Sequence, residues 1–277
     1  MREDFHKPPV VSVIVPTRNE APNVAPLVSR IGAALGSRPG RPGTPWEVVF
    51  VDDSDDDTPH AVRALSMDAP VHLRHRPPGA RPEGLGGAVL EGFSAARGAV
   101  LVVMDADLQH PPELLPRLIR PILDGQAELV SGTRYVKTGA TDGLSGPWRR
   151  AVSSGSRRLV HLLVPRSRCL SDPMSGLFAI DRKYVEGVEL RPNGFKILLE
   201  VAARTEVRRV HNVAYHFAPR NAGSSKASLK EGLRFSRHLL GLVRVRRQLR
   251  WLPPVRGTES GPAGTESHDG TTVQAIA

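Results

Sequence analysis

Cysteine is nearly absent: Cys169 is alone among 277 residues. No internal disulfide framework can form, and a reducing, intracellular setting fits. Aromatic residues are scarce at 5%, and none are interleaved with basic residues in the way that stacks bases. No apolar run is long enough to span a bilayer. The opening residues, Met1 to Lys7, contain no apolar core of a secretory leader. No internal repeat is visible. The first apolar run is followed by Pro16-Thr17-Arg18-Asn19-Glu20 rather than Gly-x-Gly-x-x-Gly, which argues against a dinucleotide site. The expectation is a chain that is soluble or held at a membrane surface.

What is present is an apolar content of 40%, consistent with a globular core, and a net charge of +10. The length suits one sizeable α/β domain with extensions. The charge favours anionic partners: nucleic acid, acidic lipid or phosphorylated small molecules.

The chain is organised around Val100-Leu101-Val102-Val103-Met104, a short β-branched run that reads as a buried strand. It stops at Asp105 and Asp107, followed by Gln109, His110, Pro111 and Pro112. The prolines close the strand and predict a helix from Glu113. Open α/β sheets hold ligands at the carboxyl ends of such strands. An oxygen-only set of Asp105, Asp107 and Gln109 suits a hard divalent cation, Mg2+ or Mn2+, whose remaining positions stay open to phosphate oxygens. The plainer reading makes Asp105 a strand cap and the other two a solvated turn. For an isolated Asp-x-Asp that reading wins; the strand before it and the stretches around it reverse the preference.

Before this strand, the pattern alternates. Strands are predicted at 10–15, 46–51 and 71–75, and helices at 22–36, from 58 to about 67, and at 84–96. That alternation implies a mostly parallel sheet with right-handed crossovers. Polar clusters end three strands: Thr17 to Glu20, Asp52 to Asp57, and Asp105 to Gln109. Adjacent strands would bring all three to one rim. Asp52 and Asp53 there could accept hydrogen bonds from a ribose or base, while Asp57-Thr58-Pro59 suits helix capping. Gly84-Leu85-Gly86-Gly87 opens a helix and could bring backbone N–H groups near a phosphate. Farther on, strands are expected at 128–132, 177–180 and 207–217. Helices are expected at 148–164, 195–203 and 229–251, and residues 1–9 as unstructured.

Taken in order, five stretches resemble the family 2 glycosyltransferases of GT-A fold, closest to the polyprenol-phosphate (dolichol-phosphate) mannosyl- and glucosyltransferases. They are 13–20 (Val-Ile-Val-Pro-Thr-Arg-Asn-Glu), 51–54, 84–86, 104–113 (Met-Asp-Ala-Asp-Leu-Gln-His-Pro-Pro-Glu) and 132–135. The resemblance runs from about 10 to 230. It implies a GT-A catalytic domain over 10–227; the residues beyond it read by themselves as a basic amphipathic helix over 228–252 and a disordered Gly/Thr/Glu tail over 253–277. It implies that Pro16, Thr17, Glu20, Asp52, Asp53 and Gly86 hold the donor nucleotide, with Asp105 acting through a metal. Arg220 and Lys226 resemble a loop that closes over the diphosphate. Asp105, Asp107 and Gln109 would ligate Mg2+ or Mn2+. Arg134, Arg149 and Ser153 would dock an acceptor phosphate, Arg149 and Ser153 sharing a helical face. Asp172 to Gly176 and Gly194 to Lys196 resemble donor-sugar and acceptor loops.

The implied activity is transfer of a hexosyl group, mannose from GDP-mannose, to a polyprenyl phosphate with inversion. The centre would be Asp107, Arg134 and Arg149, with Asp107 a metal ligand rather than a base. The alternatives are a UDP-sugar donor such as UDP-glucose, transfer to a hydroxyl, or a nucleotide- or nucleic-acid-binding protein. Carboxylates at the rim argue against the last, because they repel phosphate unless a cation intervenes. Such a substrate places the chain peripherally on the cytoplasmic face of a membrane, without nucleic acid and with room for a separate transmembrane partner. The helices 148–164 and 229–251 are basic and amphipathic, which suits an anionic interface as well as plain packing on the domain.

Overall fold

The computed structural model describes residues 8–36, 42–67, 69–134, 158–191, 196–215, 241–242 and 256–260. Strands are β1 (Val11–Thr17), β2 (Trp46–Asp52), β3 (Val71–His75), β4 (Val100–Val103), β5 (Leu129–Thr133), β6 (Phe178–Asp181), β7 (Arg209–Ala214) and β8 (Arg256–Ser260). Helices are α1 (Ala21–Leu35), α2 (Thr58–Leu65), α3 (Gly84–Ala95), α4 (Leu115–Leu123), α5 (described over 158–163) and α6 (Ile197–Arg204). A single-turn 3-10 segment, Pro112–Leu114, precedes α4. Where the ends of a predicted element fall among the described residues, they hold within about three residues, the usual scatter at element ends; residues 148–157 of the helix expected at 148–164 lie outside the described residues.

The sheet order is β3-β2-β1-β4-β6-β5-β7-β8. Every neighbouring pair is parallel except those made by β6, which runs antiparallel to both β4 and β5. Because the sheet is covered on both faces, its strands read as continuous apolar runs. Val11, Val13 and Val15 point to the layer holding α1, α2 and α4, while Ile14 faces the layer with α3 and α6. Val48 and Phe50 against Val49 and Val51 repeat the alternation. α3 lies hard against β1: a Cβ on Gly92 would fall 2.3 Å from Ile14 Cγ2.

One expectation fails. Residues 256–260, expected within an unstructured tail, form β8 and pair in parallel with β7. Composition alone suggested a tail; the unpaired edge of β7 supplies backbone partners that composition does not reveal. Of the predicted final helix only residues 241–242 are described, and they are helical. Leu242 packs with Val160, Val164, Leu199 and Ala203. Among the described residues, no helix is long and apolar enough to cross a membrane.

Candidate active site

Register alone brings the first polar clusters together. Thr17 stands opposite Asp52, and Asp52 opposite His75, at the carboxyl ends of β1, β2 and β3. Asp52 is fully buried. Its Oδ1 accepts from Thr17 Oγ1 at 2.9 Å and from Ser54 Oγ at 2.5 Å, and its Oδ2 lies 2.7 Å from His75 Nδ1. A carboxylate so enclosed organises the rim; a ligand meets its neighbours first. Asp53 is gripped by both ends of Arg76, with Nε to Oδ1 at 2.7 Å and Nη2 to Oδ2 at 2.6 Å. Arg76 Nη2 also donates to the Gly84 carbonyl at 2.8 Å, tying β2 to the start of α3. Arg81 adds a further tie through Asp55 and the Ser54 carbonyl. Pro16 is buried within β1, Gly86 is buried in the first turn of α3, and Glu20 accepts from Asn23 Nδ2 at 2.6 Å.

β4 delivers the second group. Asp105 is exposed over 41% of its side chain, and its N–H donates to His110 Nδ1 at 3.1 Å. Leu108 adopts a left-handed φ of 61°, which folds the chain back so that Gln109 N–H reaches Asp107 Oδ1 at 3.1 Å. Asp107 is thereby buried, and His110 beneath it packs edge-on against Tyr215. Among the described residues, no three His, Cys, Asp or Glu side chains gather as a metal site. The set here is instead two carboxylates and an amide, a hard-oxygen group that suits a cation keeping water and phosphate oxygens.

The third group comes from β5, the loop before β6, and the approach to α6. Arg134, just past β5, donates through Nε to Asp172 Oδ2 at 2.7 Å. Asp172 is fully buried, and its Oδ1 has no partner. The loop then passes directly over Asp105: a Cβ on Gly176 would lie 3.0 Å from Asp105 Oδ2. Lys196 joins this cluster. Burial, then the Arg134 charge, push its ammonium down to about 8, while Asp172 and Asp105 pull it back. Burial also raises the Tyr215 phenol, so it stands as a neutral hydroxyl.

The family profile Glycosyl transferase family 2 matches residues 12–185, well over half of the chain. This chain belongs to that family. The glycosyltransferase is 41% identical over 235 residues to a dolichol-phosphate mannosyltransferase of Pyrococcus furiosus, covering 84% of this chain and 64% of that relative. It thus spans a little under two thirds of the archaeal protein's length. It is 36% identical over 238 residues to a dolichol-phosphate mannosyltransferase of Saccharomyces cerevisiae, covering 82% of this chain and 85% of the relative. Glucosyl-3-phosphoglycerate synthase of Mycobacterium tuberculosis, solved with Mn2+, UDP and glucosyl-3-phosphoglycerate, superimposes with a TM-score of 0.61. The match covers 88% of this chain and 81% of that one at 19% identity, so it speaks to the fold, which is GT-A.

In this glycosyltransferase the rim collects Thr17, Asp52, Asp53, Asp105, Asp107 and Gln109 from the three strand ends expected to converge, and Arg134 stands beside them just past β5. Arg149, Ser153, Arg220 and Lys226 lie outside the described residues. Sequence reasoning passed over His75, Arg76 and Arg81. The register rule could have found His75, because the last residue of a strand beside Asp52 must share its row. Arg76 carries no such signal; its partner is 23 residues away, just past the end of another strand.

Proposed function

We propose that this glycosyltransferase moves a hexosyl group, mannose from GDP-mannose, onto a polyprenyl phosphate. The observation that carries the reading is one rim joining carboxylates, suited to a metal-bound diphosphate, to an arginine held ready for a second phosphate. Arg134 reaches it from β5, and Asp105 from β4, with the Gly176 loop closing between them. The yeast relative, named for the same reaction, is matched over most of both chains.

Asp105, Asp107 and Gln109 would hold Mg2+ or Mn2+, which when bound supplies Lewis-acid stabilisation of the leaving diphosphate. The Asp107 carboxylate is turned inward, accepting from Gln109 N–H, which supports reading it as a metal ligand rather than a base. No base is needed. An alcohol acceptor must lose a proton, whereas a phosphate monoester is already ionised near neutral pH. Arg134 would align that phosphate, guanidinium offering donors in a fixed fork. The chain's task is then to place acceptor oxygen and anomeric carbon in line, opposite the diphosphate. Inversion of configuration follows.

The acceptor's lipid demands an interface. Leu159 and Leu162 of α5 are 47% and 63% exposed beside exposed Arg158 and Arg168, a pairing that suits docking on an anionic cytoplasmic leaflet. Failure to float with anionic liposomes would remove this part of the reading. The central experiment incubates the purified chain and membranes with a panel of labelled sugar nucleotides. GDP-mannose should yield a mild-acid-labile lipid product with inverted configuration by NMR. No lipid product from any donor, or a retained configuration, overturns the reading.

A further inference from the structure

Two Arg–Asp pairs stand at this rim, and they are built differently. Arg76 holds Asp53 with two hydrogen bonds, at 2.7 and 2.6 Å, and its own side chain is only 4% exposed. Two parallel bonds fix both partners, the arrangement expected of an ion pair that serves the fold. Arg134 reaches Asp172 through Nε alone, at 2.7 Å, and keeps 31% of its side chain exposed. Asp172, with no exposure, leaves Oδ1 without a partner. A buried acceptor without a donor is costly, and a neutral amide in the same place would avoid burying a charge. The charge at 172 answers Arg134 and the nearby Lys196, yet one of its oxygens is left without a donor.

The backbone holds Asp172 still. Ser171 N–H donates to Asn212 Oδ1 at 3.0 Å, and Ser175 N–H to the Asp172 carbonyl at 3.1 Å. Asn212 is anchored on β7 and also donates to the Cys169 carbonyl at 2.9 Å. The carboxylate is thus a fixed post to which Arg134 is tied at Nε. An anchor at Nε sets the plane of the guanidinium about its last torsion and directs the outer nitrogens to the far side.

We propose that Asp172 is a positioning residue for the transfer, one that aims Arg134 at the acceptor phosphate by a single ionic hydrogen bond. The inference rests on the reading of Arg134 as a phosphate ligand. Its Oδ1 is the mark of this use: a two-handed grip like that on Asp53 would fix Arg134 to Asp172 and away from substrate.

The test is Asp172→Asn, whose amide oxygen can still accept from Nε while the charge is lost. The thermal midpoint should stay within ~2 °C of the parent. The KM for a short-chain polyprenyl phosphate should rise about tenfold, with the KM for the sugar nucleotide within about twofold. In an Arg134→Lys background the same substitution should cost less than about threefold, because both changes remove one aimed guanidinium. A fall in the midpoint with uniform loss of activity shows a structural role and overturns the inference. So does a rise in donor KM alone, or full additivity with Arg134→Lys. A parent protein that makes no lipid product from any donor would instead overturn the underlying function, which separates the two failures.

Discussion

Replacing Lys196 with Met should stabilise the fold at pH 7 and impair turnover. Lys196 enters α6 beside Arg134, Asp172 and Asp105, enclosed enough that burial is the first cause of its lowered pKa and the Arg134 charge the second. A group held at about 8 instead of its ordinary 10.5 is one whose protonated form the fold disfavours. At roughly 1.4 kcal/mol for each tenfold change in proton affinity, the cost at pH 7 is on the order of 3 kcal/mol. The sign follows from proton counting. Between pH 8 and 10.5 the unfolded chain binds the extra proton, so the stability of the parent rises with pH through that window and the full cost is present below it. Met keeps the apolar stem and discards the charge. Its advantage should be about 3 kcal/mol at pH 7, worth roughly 6–10 °C in melting temperature for a chain of this size, and should fade towards pH 10.5. Paired urea titrations of parent and variant at pH 7 and pH 10 measure it, and their difference cancels groups common to both. A variant less stable than the parent at pH 7, or an advantage that does not shrink with pH, refutes the reasoning. Loss of transfer activity in the stabilised variant would show what the buried charge is kept for.

Gly176→Ala places a Cβ 3.0 Å from Asp105 Oδ2 and 3.3 Å from Oδ1. Transfer should drop by about tenfold or more while far-UV circular dichroism stays unchanged; normal kinetics would show that the loop yields freely. Arg76→Met leaves the Asp53 carboxylate enclosed and unpaired, so unfolding free energy should fall by about 3–5 kcal/mol, and a loss below about 1 kcal/mol would show the pair to be solvated. Removing divalent cations with EDTA should abolish transfer and Mn2+ should restore it; activity that resists chelation would sink the metal assignment.

The parts legible in the sequence were those encoded locally. Continuous apolar runs such as Val48 to Val51 announced strands covered on both faces. Polar residues where those runs stop announced the rim, because strands that pair in parallel end on the same side. The direction of β6 was not legible, since four apolar residues look alike read either way. Neither were pairings that join distant positions. Arg134 and Asp172 are 38 residues apart, and Arg76 and Asp53 are 23 apart. An arginine in a basic loop looks solvated until the opposite carboxylate is placed beside it. β8 was missed for the same reason: what orders it is the edge of β7, a partner 47 positions away at His211 and Thr258.

The two ends of the sheet nevertheless differ in a way that locates function without reference to any motif. At the amino end, Glu47 is buried and met by Ser12, by Arg97 through both backbone and side chain, and by His72. Glu128 is met by the backbone of Arg208 and Arg209. The charges there are enclosed and answered. At the carboxyl end stand all the non-glycine residues with positive φ among those described: Asn19 after β1, Glu83 before α3 and Leu108 after β4. A left-handed conformation costs a side-chain-bearing residue on the order of 1–2 kcal/mol, most for one such as Leu108 that has no polar group to compensate. The unpartnered oxygen of Asp172 belongs to the same end. A fold selected for stability alone would have spread such costs or removed them. Their concentration on one rim is the expected signature of groups set for a ligand, and it is independent of the resemblance that first suggested which ligand that is.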